Sequence, residues 1–254
     1  MPDMTQADRT LWTLSGKDAL TFLQGVVSND LRPLETGPGI VWAALLSPQG
    51  KYLADFFVVR LPEGPLLIDI AESLAADTLR RLTLYRLRAD VQILPASVTV
   101  SRGLGAPPEG ALPDPRHPAL GWRLYGTAAV SEVAVDWDAI RVQHLIPESG
   151  IELVPDDTYI LEAGFERLHG VDFRKGCYVG QEVTARMKHK TELRKGLVRV
   201  KVAGTAPVGT EILADGKPAG TLFTQSEGRA IAYLRFDRAG QSMQAAGAQI
   251  QLDD

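Results

Sequence analysis

The chain has a single cysteine, Cys177, within the stretch R-K-G-C-Y-V-G-Q-E (174–182). Cationic side chains near a thiol favour the thiolate, which is the nucleophilic and metal-binding form of cysteine. Four basic residues could act in this way: Arg174, Lys175, Arg186 and Lys188. The flanking Gly176 and Gly180 indicate a backbone that approaches a neighbour closely or takes a positive φ. The same spacing also fits a cysteine that only fills space, because free cysteines are often buried.

The numbers of cysteines and histidines limit the chemistry open to Cys177. One thiol cannot by itself hold an iron–sulfur cluster that needs four cysteines. The four histidines fall in no zinc-binding spacing; they are His117, His144, His169 and His189. We therefore expect no permanent metal or cluster. A nucleophilic pair of Cys177 with His169 or His189 as its base stays open.

Two carboxylates stand in unusual settings. Glu162 belongs to L-E-A-G (161–164), at the entry to the segment that leads to the cysteine. A carboxylate there can accept two parallel N–H donors from a planar heterocycle, although it can also cap a helix or reach solvent. Asp55 lies within an apolar strand, where a carboxylate is costly unless it is paired. Strand alternation also allows Asp55 to face solvent.

The charge is unevenly distributed. The net charge is −4, yet residues 165–201 hold ten Lys or Arg against four Asp or Glu. This basic segment favours an anionic ligand or partner, or it is simply a solvated face. No apolar run approaches the roughly 20 residues of a membrane span, and the first residues show no secretory signal. With one cysteine, the chain fits a reducing compartment, so we expect a cytoplasmic location. Because no candidate span is found, we also expect no membrane partner.

Apolar periodicity predicts a mixed α/β unit over the first hundred residues. Strands are expected at 11–14, 66–70 and 91–94, and a hairpin at 40–47 and 52–60. Ser15 is expected to cap a first helix, and further helices are expected at 73–88, 135–145 and 158–169. The segment 103–118 has five prolines and three glycines and is expected to be loop.

From residue 197 onward the pattern changes to short strands between Gly- and Pro-containing turns. These strands are expected at 197–202, 211–214, 220–224, 230–236 and 249–252. Such a series is typical of a small antiparallel barrel or sandwich.

The stretch around Cys177 resembles the K-G-C-Y-x-G-Q-E signature of the YgfZ/CAF17 family, which is related to the glycine-cleavage T-protein. Three other segments are similar to family elements: F-L-Q-G-V-V-S-N-D (22–30), L-L-S-P-Q-G-K (45–51) followed by Asp55, and I-P-E-S-G (146–150). T-proteins carry Phe near the position of the cysteine, so Cys177 favours the YgfZ branch. Ser28 departs from the family, where Thr is usual.

This resemblance implies an α+β fold with mixed α/β folate-binding domains in a ring-like arrangement. Residues 1–192 would form that region, with a break near 96–120, and residues 193–254 a C-terminal β-barrel. The implied role is a tetrahydrofolate-binding accessory protein that assembles or repairs iron–sulfur enzymes, with iron–sulfur client or assembly proteins as partners and Cys177 as the functional thiol.

The resemblance also implies roles for particular residues. Glu162 would receive the ring N–H and amine of the pterin, and Asp55 falls near the catalytic aspartate of T-proteins. The remaining folate-binding residues would be Asn29, Arg174, Lys175, Tyr178, Gly180, Gln181 and Arg186.

Two other functions are compatible with the sequence. Asp55 and Glu162 fit a folate-dependent aminomethyltransferase or demethylase. The basic segment from Arg174 to Lys201 fits a module that binds tRNA or a protein, although Phe173 and Tyr178 are the only aromatic residues near it.

Overall fold

The computed structural model describes residues 4–6, 8–126, 134–190, 192–240 and 242–253. The strands before the barrel are β1 (Met4–Gln6), β2 (Arg9–Ser15), β3 (Gly39–Leu46), β4 (Tyr52–Arg60), β5 (Leu66–Ala71), β6 (Gln92–Pro95), β7 (Thr99–Gly103), β8 (Leu112–Pro113) and β9 (Trp122–Gly126). The α-helices are α1 (Ala19–Gln24), α2 (Glu72–Arg86), α3 (Trp137–His144) and α4 (Gln181–Lys190). Short 3-10 turns lie at Arg32–Leu34 and Pro118–Leu120.

Five of these strands form a central antiparallel sheet in the order β3-β4-β5-β2-β6. Its strand β4 is buried on both faces over Tyr52–Val59, because separate apolar clusters cover the two sides. One cluster holds Leu23 of α1 and Leu82 of α2. The other holds Trp42, Phe57 and Phe165. Neither face of β4 can therefore serve as a polar, solvated side.

A second sheet, in the order β1-β7-β9-β8, contributes to the cluster around Trp42. Val100 of β7 and Tyr125 of β9 supply its inward side chains. Trp137 of α3 joins the same cluster. This cluster is thus enclosed by the two sheets and by the segment that follows them.

The last part of the chain is a closed antiparallel barrel in the order β10-β13-β12-β11-β14-β15. Its strands are β10 (Lys195–Ala203), β11 (Thr210–Ala214), β12 (Lys217–Ser226), β13 (Arg229–Arg235), β14 (Met243–Ala245) and β15 (Ala248–Leu252). Closure leaves no unpaired strand edge. The predicted α+β fold with a small C-terminal barrel is confirmed.

Most of the predicted elements are present within one or two residues. They are β2, the β3–β4 hairpin, β5, α2, β6, α3 and four barrel strands; a fifth, β12, begins three residues before its predicted start. The periodicity did not reveal β7, β9 or α4, and β8 lies within the segment 103–118 that was expected to be loop. None of the described helices has both the length and the apolar character that a membrane crossing requires.

Two predictions about helices are wrong. Ser15 is the last residue of β2, and α1 begins only at Ala19, with Asp18 as its N-cap residue. Instead of a helix, residues 160–169 form consecutive turns, and Tyr159 lies in an isolated bridge with Lys51. Gly164 has a left-handed φ of +79° in the middle of this segment, and a single left-handed residue interrupts helical hydrogen bonding. The bond from Phe165 N to Ile160 O shows the resulting wider turn.

Candidate functional site

The cysteine loop is fastened to the core by Lys175. The side chain of Lys175 is 4% exposed, and its ammonium donates to the backbone carbonyls of Gln24, Val27 and Asn29. Burial lowers the pKa of Lys175 to about 8. Its partners belong to F-L-Q-G-V-V-S-N-D, so two of the motifs are joined at this point.

The same motif also holds the segment just before the cysteine loop. Ser28 donates to the carbonyl of Gly170 at 2.6 Å and accepts from Ala44 N at 2.8 Å. The Asn29 amide donates to the carbonyls of Trp42 and His169. Serine keeps the hydroxyl on which these contacts depend, so the departure from the usual Thr is mild.

On the other side, the loop packs against the β3–β4 hairpin through glycines. Gly180 has φ +81°, and a Cβ atom there would lie 2.6 Å from the carbonyl oxygen of Ser47. Gly50 of the hairpin has φ +74°, and its Cβ would lie 2.8 Å from Cβ of Val183 in α4. By contrast, a Cβ at Gly176 would meet nothing within 4 Å. The expected close approach is thus confirmed for Gly180 and is wrong for Gly176.

Cys177 itself is exposed. The basic side chains around it are mostly engaged: Lys175 with carbonyls, Arg186 with Glu182 at 2.8 Å, and Lys188 with Glu166 at 2.5 Å. Arg174 is exposed and forms no ion pair among the described residues. The reading of Cys177 as a buried, space-filling side chain is therefore wrong.

The residues that follow the cysteine anchor the loop to α4. Tyr178 is buried, and burial raises its pKa to about 12. The Lys175 ammonium lies 5.0 Å from the centre of the Tyr178 ring. Gln181 is the first residue of α4, and its backbone N–H donates to the carbonyl of Tyr178. The thiol is therefore carried on a loop whose two ends are fixed.

Asp55 is buried and fully paired. It accepts from the indole of Trp42 at 2.8 Å, the hydroxyl of Tyr52 at 2.6 Å and the hydroxyl of Ser149 at 2.6 Å. Burial, followed by the Asp55 charge, raises the pKa of Tyr52 well above its usual value. The expectation that a carboxylate here must be paired is confirmed, whereas the solvent-facing alternative is wrong. Its role in catalysis stays a prediction.

Glu162 lies where the turn segment 158–169 meets the barrel. The hydroxyl of Tyr233 donates to its carboxylate at 2.6 Å, and the ammonium of Lys195 lies 3.9 Å away. Burial, together with this hydrogen bond, raises the pKa of Tyr233 far above its usual range. Glu162 lines a cavity of about 540 Å³ together with Met187, Glu192, Leu193, Arg194, Lys195, Pro218, Gly220, Thr221, Tyr233, Arg235, Asp237 and Arg238.

The structure distributes the candidate residues over several places. Asn29 and Arg174 line a second cavity of about 510 Å³, and neither Cys177 nor Asp55 lines either of these two cavities. No hydrogen bond joins the thiol to His169 or His189 within the part of the chain that the structure describes. In that same part, no group of three His, Cys, Asp or Glu could hold a metal ion.

The sequence patterns did not predict one group of buried polar residues. Asp69 of β5 is completely buried between Arg9 of β2 and Arg123 of β9. Arginines within the short strands β2, β7 and β9 were the available signal, because an arginine facing a core needs a buried acceptor. Which carboxylate meets which arginine depends on the packing of the two sheets.

Comparisons with known proteins agree with this architecture. Residues 194–254 match the family model for the C-terminal β-barrel domain of CAF17. The aminomethyltransferase T of the glycine cleavage system from Bartonella henselae has the same fold, with a TM-score of 0.77, 15% identity, and coverage of 99% of this chain and 85% of that one. The fold is therefore that of the glycine-cleavage T-protein.

Two relatives carry the family assignment. The iron-sulfur cluster assembly factor IBA57 of Homo sapiens is 31% identical over 84% of this chain and 71% of its own length. The corresponding homologue of Mycosarcoma maydis is 32% identical over 76% of this chain and 56% of its own length. The chain belongs to the YgfZ/CAF17 family. It spans little more than half the length of the fungal relative.

The comparisons also correct one expectation. The human, mouse and fungal relatives are all named as mitochondrial proteins. The cytoplasmic location expected from the cysteine count is therefore wrong. The physical reason is that a single reduced thiol is compatible with any reducing compartment, so a cysteine count cannot distinguish among them.

Proposed function

We propose that the chain is an iron–sulfur cluster assembly factor that acts through Cys177. The observation that carries this proposal is an exposed thiol on a loop fixed at both ends, by Lys175 on one side and by Gly180 on the other. The names of the human and fungal relatives support the same role.

The single thiol determines how such a factor works. Cys177 supplies one thiolate ligand to a cluster in transit, and an iron–sulfur client or assembly protein supplies the others. The thiol loses its proton when it binds iron, because only the thiolate is a ligand. A loop held in one conformation presents the sulfur without an ordering cost at each encounter.

The experiment is deletion of the gene in its host, with measurement of several iron–sulfur enzyme activities. We expect these activities to fall to a small fraction of normal, while enzymes without clusters keep theirs. Re-expression of the intact chain should restore them. Normal iron–sulfur enzyme activities in the deletion strain would contradict the role.

We further infer that tetrahydrofolate binds in the 540 Å³ cavity beside Glu162. The cavity has the size of small-molecule sites, which span about 300–1,000 Å³. Only one oxygen of the Glu162 carboxylate accepts from Tyr233, so the other can accept from a pterin N–H. Arg194 and Arg238 line the same cavity and suit the carboxylates of a folate tail.

These residues therefore fit the ligand in type and placement. Glu162 would orient the pterin, Leu193 and Met187 would cover its faces, and the arginines would fix the tail. The basic residues beside the thiol do not line this cavity, so the part expected for Arg174, Lys175 and Arg186 in folate binding gains no support.

Calorimetric titration with tetrahydrofolate tests this inference. We expect Glu162→Gln to weaken binding at least about tenfold, since a charge-assisted hydrogen bond to the pterin is lost. Glu166→Gln, at a glutamate that is half exposed and does not line this cavity, is the matched control and should bind as the original chain does. Equal affinities in all three proteins, or no binding by the original chain, would contradict the assignment.

A further inference from the structure

A third cavity, of about 400 Å³, is lined by an unusual set of arginines. Five guanidinium groups contribute to its wall: Arg9, Arg102, Arg116, Arg123 and Arg141. They come from β2, β7, the turn before Pro118–Leu120, β9 and α3, so both sheets and a helix converge there. Asn29, Asp55, Glu162 and Cys177 do not line it.

Buried carboxylates hold four of these arginines in place. Asp69 accepts from Arg9 at 2.5 Å, from Arg123 at 2.6 Å and from the hydroxyl of Tyr125 at 2.7 Å. Asp114 accepts from Arg116 at 2.9–3.0 Å. Asp69 and Asp114 do not line the cavity. Their hydrogen bonds therefore fix the orientation of the guanidiniums from the side away from the cavity and leave the cavity side to other groups.

Arg141 is braced across to the barrel. It donates to Glu152 at 2.8 Å and to the hydroxyl of Thr224 in β12 at 2.7 Å. Glu152 also accepts from that hydroxyl and from the backbone N–H of Glu148. The cavity wall is therefore rigidly connected to the barrel.

Arg102 differs from the other four. It forms no ion pair with any described residue, and its Nε is buried without an acceptor. The indole N–H of Trp137, which also lines the cavity, is likewise buried without an acceptor, and the Arg102 guanidinium lies 4.1 Å from the centre of the Trp137 ring. Burial lowers the pKa of Arg102 to about 10. Buried donors are rarely left unsatisfied in folded proteins, and both groups here lack an acceptor rather than a donor.

Carboxylates counter the charges of the arginines around this cavity, except at Arg102. The five arginines are opposed by four inward carboxylates, those of Asp69, Asp114, Glu148 and Glu152. Burial alone would raise the pKa of Glu148, but Arg116, Arg141 and Arg102 lower it, so this group is ionised as well. Asp138 at the exposed rim pairs with Arg141 at 3.0 Å, and Asp8 is exposed at the same rim. Arg102 is therefore the arginine of this wall that has no ion pair within the described part of the chain.

We propose that this cavity binds a small molecule through an oxyanion, a carboxylate or a phosphate group, which accepts from Arg102 and from the indole of Trp137. One negative group would supply the counter-charge that Arg102 lacks among the described residues. The volume admits a small metabolite and is separate from the cavity beside Glu162. Binding here therefore does not depend on the folate or cluster roles.

The test uses the full chain, with inorganic phosphate and succinate as separate ligands at constant ionic strength. Each is titrated by calorimetry, and thermal unfolding is recorded alongside. We expect at least one of the two to bind and to raise the melting temperature, since a ligand of the folded state stabilises it by mass action. Tighter binding of phosphate would identify the oxyanion as a phosphate group, and tighter binding of succinate would identify it as a carboxylate. Failure of both to bind at 10 mM, roughly the upper range for a small metabolite site, would overturn the proposal.

Three variants locate the binding. Arg102→Met should weaken ligand binding at least about tenfold. Without ligand it should unfold at or above the melting temperature of the original chain, because no ion pair is broken. Trp137→Phe keeps an aromatic ring but removes the indole N–H donor, so it should also weaken binding. Arg80→Met makes the same charge change on the exposed side of α2 and should leave binding unchanged. An undiminished response in both Arg102→Met and Trp137→Phe would overturn the proposal.

Discussion

The ammonium of Lys175 donates a hydrogen bond to the backbone carbonyl of Asn29 at 2.9 Å. Lys175 lies two residues before the cysteine, and Asn29 lies in the motif F-L-Q-G-V-V-S-N-D, which begins within α1. This contact makes one motif the support of the other, so the conformation of the cysteine loop depends on residues almost 150 positions earlier in the chain.

Substitution of Lys175 by methionine tests that support. Methionine keeps much of the side-chain volume but leaves three buried carbonyls without their donor, so we expect a loss of about 1–3 kcal/mol in the free energy of unfolding. Urea unfolding measures the change. Lys188→Met removes a lysine whose ion pair with Glu166 is partly exposed, and it should cost no more than about 1 kcal/mol. Equal effects of the two substitutions would show that Lys175 does not anchor the loop.

The two glycines around the cysteine should respond differently to alanine. Gly180→Ala forces a Cβ atom against the carbonyl of Ser47 in a left-handed conformation, and it should cost about 1–3 kcal/mol or more. Gly176→Ala meets open space and should change the free energy of unfolding by less than about 0.5 kcal/mol. The midpoints of urea unfolding distinguish the two, and a reversed order would refute the packing described for this loop.

Asp69 should make the stability of the chain depend on pH at the acid end. Burial alone would raise the pKa of Asp69, but Arg123 and Arg9 bring it down to about 2 from 3.8. Because the folded value is the lower one, the stabilisation is complete above about pH 4 and is lost as the pH falls towards 2.

The variant Asp69→Asn isolates this contribution. At pH 7 it should destabilise the chain by about 3–5 kcal/mol, since Arg9 and Arg123 lose a buried counter-charge. The difference from the original chain should shrink between pH 4 and pH 3 in urea titrations. Asp77→Asn, at an exposed pair with Arg80, is the control and should show almost no difference. A pH-independent gap for Asp69→Asn would contradict the ion-pair account.

The hairpin and the barrel were predictable because their signals are local. The β3–β4 hairpin has two β-prone runs joined by Pro48-Gln49-Gly50-Lys51, and the barrel strands recur between Gly-containing turns. The helix expected at 158–169 failed for an equally local reason, the left-handed Gly164, which apolar spacing does not reveal. In α4 the buried side is narrow, with Thr184 buried and its neighbours half-buried or exposed, so its periodicity is weak.

The candidate site was only partly predictable. The motifs named the right segments, but the partners of Lys175 and the Ser149 partner of Asp55 lie 94 to 151 positions away, and such contacts exist only after packing. The arginine cavity is the extreme case, because its wall combines β2, β7, β9 and α3. No pattern within any one of these elements specifies that combination.

The most direct test of the central claim is rescue of a deletion strain by Cys177→Ala. The thiol is exposed and forms no hydrogen bond within the described ranges, so the variant should fold and unfold like the original chain. We predict that it fails to restore the iron–sulfur enzyme activities although it accumulates to the normal level. Full restoration of those activities by Cys177→Ala would contradict the role of the thiol as a cluster ligand.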